Sequence, residues 1–95
     1  MYIRIVRAQT KPGQVEELAT RWHGSIGARM AGMTGFRHAH FGADRTANTT
    51  VAISVWDDRP DPAAMEPMVR EFREQVADLS AGTPVIEEYE VLAEA

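Results

Sequence analysis

Hydrophobic residues recur along this chain in the order strand, helix, strand, strand, helix, strand, with almost nothing left over for linkers. That order is the split β-α-β unit used twice. It predicts a four-stranded antiparallel sheet with both helices on one face. The other face of such a sheet has nothing of its own chain to lie against. Large apolar side chains must nonetheless point that way, so a partner has to cover them, and the simplest partner is a second copy of the same chain.

The six patterns can be placed residue by residue. From Tyr2 to Gln9, Ile3 and Ile5 alternate with Tyr2, Arg4, Val6 and Ala8. Lys11-Pro12-Gly13 stops that strand. Pro12, Glu16 and Glu17 suit a helix amino terminus, and Val15, Leu18, Trp22 and Ile26 recur at helical spacing, so the first helix runs from about Pro12 to about Ala31. Gly24 and Gly27 weaken its second half and leave room for another backbone or a ligand to come close. The second strand, Phe36 to Gly42, reads with Phe36, His38 and His40 on one face and Arg37, Ala39 and Phe41 on the other. A polar loop, Ala43 to Asn48, leads into the plainest strand of the chain. There, between Thr49 and Trp56, Val51, Ile53 and Val55 alternate with Ala52, Ser54 and Trp56: one face is greasy, the other small except for the tryptophan. Met65, Val69, Phe72, Val76 and Leu79 mark the second helix, and Pro67 places its regular part from about Glu66 onward. Val85 to Leu92 is the last strand. The expected architecture is α+β, a ferredoxin-like βαββαβ sandwich, with residues 1–95 forming one domain.

A chain of 95 residues buries only about two-thirds of the surface its unfolded form exposes, so a monomer is marginal. The net charge of −4 and the lack of any cluster of Lys and Arg argue against a nucleic-acid partner. Arg70 and Arg73 alternate with Glu71 and Glu74, the pattern of a solvated helix face with local ion pairs. The absence of cysteine excludes disulfides, thiolate metal sites and cysteine nucleophiles. Charge interrupts the amino terminus every few residues, and the longest uncharged stretch, Thr46 to Trp56, is too short to span a bilayer. The chain is expected to be cytoplasmic, with no membrane partner.

Four short segments, Lys11-Pro12-Gly13, Gly35-Phe36, Val55-Trp56-Asp57 and Glu87-Glu88-Tyr89-Glu90-Val91, stand in an order and spacing that resembles the antibiotic biosynthesis monooxygenase (ABM) domain, a branch of the dimeric α+β barrel proteins. The resemblance covers nearly the whole chain. It implies a homodimer joined through the open sheet faces, and in each subunit a pocket between sheet and helices for a small apolar or aromatic ligand. Some members of the family oxidise polycyclic phenols with molecular oxygen and no cofactor; others bind or degrade haem or rearrange small carbonyl compounds, so the fold does not fix the reaction. The haem-degrading branch uses a histidine on the second helix, and Glu66 to Gln75 holds none. The phenol-oxidising branch commonly uses a pocket asparagine, whereas the only asparagine here, Asn48, falls in the hairpin loop.

The resemblance makes Trp56 the first candidate catalytic residue, with an indole N–H to donate to a substrate oxygen; a plug at the sheet end against the second helix is the plainer role. His38 and His40 leave one face of their strand together, as a base, as two metal ligands if a third group converges, or, in the plainer reading, with one exposed near the strand's end and the other hydrogen-bonded at the dimer face. No third ligand is apparent, and no metal or cofactor is expected. His23 borders the core stripe and is placed at a pocket rim or on the surface. Trp22, Ser54, Met68 and Phe72 are the expected pocket walls. Arg4, Arg7 and Arg37 lie within strands and need either a partner, with Glu87, Glu88 and Glu90 available, or a pocket where one of them would stabilise an oxyanion. Two readings follow. One is a cofactor-independent monooxygenase, or a related small-molecule enzyme, acting on a phenol- or quinol-type aromatic; the alternative is a non-catalytic ligand-binding or orphan homodimer of the same fold.

Overall fold

Alternating strand patterns and two amphipathic helical stretches fold as the βαββαβ order requires. The computed structural model describes residues 1–95. Strands β1 (Tyr2–Gln9), β2 (Phe36–Asp44), β3 (Thr49–Trp56) and β4 (Val85–Glu90) form one sheet in the order β2-β3-β1-β4, every pair antiparallel. The helical layer comprises α1 (Val15–Trp22), a π-helical turn (His23–Gly27), α2 (Ala28–Ala31) and α3 (Pro62–Gln75). It covers one face of the sheet, giving the ferredoxin-like α+β sandwich.

The π-helical turn sits where the sequence suggested one continuous helix. Widening the helix there lets Trp22, Ile26 and Met30, each four residues apart, all bury against the sheet. Gly27 makes this possible: a Cβ at that position would lie 3.0 Å from the Trp22 carbonyl oxygen and 3.2 Å from its ring. Helix α3 begins earlier than Pro67 suggested. Asp61 accepts a hydrogen bond from the Ala63 N–H at 3.0 Å, and Pro62 brings a preset φ to the first turn, so the helix tolerates a second proline one turn further on. It also ends earlier, at Gln75; Val76 and Leu79 are buried in the turn beyond it.

Register fixes which side chains share the covered face. Successive rows across β2, β3, β1 and β4 read Phe36, Trp56, Tyr2, Glu90; then Ala39, Ser54, Arg4, Glu88; then Phe41, Ala52, Val6, Ile86. A bulge between Phe36 and His38 moves Phe36 onto this face, correcting the assignment that put it beside His38. Its ring meets Trp56 edge-on at 5.3 Å. The main core, Trp22, Ile26, Met30, Trp56, Met65 and Met68, gathers at this end of the sandwich, and a smaller cluster of Leu18, Val76 and Leu79 closes the other.

Candidate functional site

Between the two clusters the covered face is floored by small residues. Ala8, Thr50, Ala52 and Ser54 cannot reach the helices, and the gap is a cavity of 460 Å³, within the usual range for a small-molecule site. Trp22, Phe41 and Phe72 form its aromatic wall, with the Trp22 and Phe41 rings 5.5 Å apart. Val69 and Val76 from the α3 side and Ile86 from β4 complete most of the apolar lining.

Only two ionisable side chains reach this cavity, and both are arginines. Arg4 rises from the centre of the floor between Ser54 and Glu88, and only 8% of it is exposed. Arg73 comes down from α3. The other strand arginines are paired: Arg7 Nε lies 2.6 Å from Glu87 and Arg37 Nε 2.6 Å from Asp57. Glu88, the carboxylate nearest Arg4 in register, accepts hydrogen bonds from the Tyr2 hydroxyl at 3.2 Å and from Arg59 at 3.0 Å. Burial holds the Arg4 guanidinium below its ordinary pKa; Glu88 opposes the shift and the like charge of Arg73 adds to it.

The sequence-derived candidates separate into three places. Trp22, Ser54 and Phe72 line the cavity together, while Met68 packs behind it in the core. Trp56 is wholly buried. Its indole N–H donates to Ser54 Oγ at 2.9 Å, so the hydroxyl of Ser54 has its own proton left to offer. His23 stands exposed on the π-helical turn, outside the cavity lining. His38 and His40, their rings 5.5 Å apart, are exposed on the uncovered face, opposite Val55 and Ile53 of β3. No group of three His, Asp or Glu side chains converges anywhere on the chain in a way that could hold a metal ion.

Sequence reasoning passed over Phe41 and Arg73. Phe41 was readable from its place opposite Ala52 once strand register is known. Arg73 was read as part of a solvated face, yet it lies four residues after Val69 and three before Val76, at the border of the buried stripe, and so lines the cavity.

Residues 1–75 match the family model described as antibiotic biosynthesis monooxygenase. The chain belongs to that family. The match ends before β4, so the Glu87–Val91 segment lies beyond it. Among solved structures, the ABM fold recurs in a monooxygenase of Streptomyces coelicolor in complex with the ligand nanaomycin D, at TM-score 0.81 and 17% identity, covering 99% of this chain and 89% of that one. A putative antibiotic biosynthesis monooxygenase of Nitrosomonas europaea aligns at TM-score 0.79 and 20% identity, covering 96% and 89%. A second Nitrosomonas europaea protein, of unknown function, aligns at 0.77 and 21%, covering 99% and 91%. A comparison with curated proteins finds no match. At these identities the neighbours establish the fold. No helix is long and apolar enough to cross a membrane.

Proposed function

We propose that this ABM protein is a cofactor-independent monooxygenase of a phenol- or quinol-type aromatic bound in the cavity beneath its helices. The observation that carries the reading is the cavity itself: apolar and aromatic-walled, with cations as its only ionisable groups. Dioxygen reacts readily with an electron-rich carbanion or phenolate, so a protein that holds such an anion out of water supplies what the reaction needs. Here Ser54, polarised by the Trp56 indole, donates to the substrate oxygen, and the field of Arg4 and Arg73 favours its anionic form. Trp56 acts through Ser54 as a positioning residue.

For an anthrone-type substrate the balance is simple. The ring CH2 loses a proton to water, and the anion passes an electron to dioxygen. The radical pair joins in a C–O bond, and the resulting peroxide takes a proton back. Loss of water then leaves a carbonyl, so one oxygen atom enters the product, the other leaves as water, and no external reductant is consumed.

The uncovered face supports the rest of the proposal. Ile3, Ile5, Val51, Ile53 and Val55 form an apolar patch with no layer of this chain above it, and a second copy would bury it. His38 and His40 then lie at that seam. The working unit is a cytoplasmic homodimer with one cavity per subunit.

Oxygen uptake with an anthrone or a dihydroxynaphthalene under air, against anaerobic and protein-free controls, tests the reading. Protein-dependent uptake of one dioxygen per quinone formed supports it; uptake no faster than in buffer overturns it. One observation favours the alternative of a ligand-binding dimer. No carboxylate or imidazole lines the cavity, so any proton must leave to water. Tight ligand binding without oxygen uptake would decide for that alternative.

A further inference from the structure

Arg4 is a buried cation without a partner. Its guanidinium forms no salt bridge and no hydrogen bond with any protein group; the residue as a whole is only 8% exposed, while the guanidinium nitrogens themselves are not sealed from solvent. Glu88, beside it on β4, is already engaged by Tyr2 and Arg59. A second guanidinium, Arg73, faces the same space and is also unpaired, and Arg70 stands with both around a smaller adjoining hollow of 300 Å³ that Glu66 and Glu88 also line. Desolvating a cation without a hydrogen-bonded counter-ion is unfavourable, and a like charge facing the same space adds to that. Such an arrangement is balanced when an anion arrives.

We propose that the ligand of this cavity carries a carboxylate, which docks between Arg4 and Arg73 while its aromatic body extends toward Trp22, Phe41 and Phe72. A carboxylate matches the planar fork of a guanidinium with two parallel hydrogen bonds, and the rest of the lining offers apolar surface to rings. Wall and floor thus divide the labour. The arginine pair fixes one end of the molecule, and the oxygen to be activated falls beside Ser54, the neighbour of Arg4 in register. The inference narrows the substrate class of the oxygenase reading to hydroxyaromatic carboxylic acids, and rests on that reading for the chemistry but not for the binding.

Isothermal titration of the full chain with 2-naphthoate and with its neutral isostere 2-naphthamide tests it at pH 7.5. The carboxylate is expected to bind at least tenfold more tightly than the amide, and added salt to erode the difference. Arg4→Met should abolish the preference. Arg73→Gln, on an exposed helical position that leaves the sheet untouched, should reduce it severalfold and keeps the test decisive if the Arg4 variant does not fold. Equal affinities for acid and amide, a preference that survives Arg73→Gln unchanged, or no binding of either would overturn the proposal. Failure of the oxygenase reading looks different: selective naphthoate binding with no oxygen uptake on any hydroxynaphthoate would retain the anion site and discard the reaction.

Discussion

The two faces of this sheet are built the opposite way round from what a lone subunit needs. On the covered face, the central positions of β3 and β1 are Ala52, Ser54, Val6 and an arginine, with Ala8 and Thr50 in the next row. On the uncovered face the same strands carry Ile3, Ile5, Val51, Ile53 and Val55. A monomer gains most by burying branched aliphatics under its helices and showing small or polar groups to solvent. Reversing the arrangement leaves a hollow on one side and an apolar patch on the other. The hollow invites a ligand, and the patch invites a second subunit. On the proposed reading the difference separates two functions of the sheet, one face for the ligand and the other for a second copy of the chain.

Placing a charge on the assembly face should have the largest effect. Ile5→Asp puts a carboxylate at the centre of the patch, between Ile53 and Glu87. The homodimer dissociation constant is expected to rise by about 100-fold or more, given the cost of desolvating an unpaired charge. Sedimentation velocity at micromolar protein checks this; a variant as dimeric as the parent would break the comparison. The chemical face comes next. Trp56→Phe keeps the aromatic core but deletes the donor to Ser54, and turnover is expected to fall about tenfold, with stability reduced by about 1 kcal/mol. Unchanged kcat with the stability loss intact would make Trp56 purely structural.

The smallest effect lies at the edge of the helical layer. Arg21 holds Asp78 at 2.8 Å, and its hydrogen bond keeps the Asp78 carboxyl below the ordinary aspartate pKa. A pKa depressed in the folded state contributes stability above the unfolded-state value, and that contribution is lost as pH falls through the folded one. Asp78→Asn should therefore flatten the stability–pH curve below about pH 4 and leave it unchanged in shape near neutrality, with both atoms' exposure keeping the effect small. Thermal melts of the two proteins between pH 3 and 7 measure it.

Much of the fold was legible because period and order determine it. The greasy and small faces of Thr49–Trp56 announced both the patch and the hollow, and Ala52 and Ser54 marked where room would be left. What escaped depends on partners the sequence does not display. The bulge at Phe36/His38 is an extra residue relative to β3, and only the paired register reveals that it turns Phe36 toward Trp56. The π-helical turn depends on a ring lying against Gly27. Pro67 marks a late start for the regular helix because its cost is visible in sequence, while the Asp61 cap and Pro62 that let the helix begin earlier act through backbone geometry the sequence does not display. At the site, Trp56 and Ser54 are same-face neighbours two residues apart, so their hydrogen bond was within reach of the strand pattern. The isolation of Arg4 was not, since it follows from Glu88 being occupied by Tyr2 and Arg59.

Filling the hollow tests the central claim most directly. Ala52→Phe projects a ring from the cavity floor into space the structure leaves open, without touching the assembly face. Naphthoate affinity and oxygen uptake on a hydroxyaromatic acid, measured on that variant at unchanged dimer mass and melting behaviour, should both fall by about 100-fold or more. Retention of both at parental levels would contradict the account, because it would put the ligand somewhere other than beneath the helices.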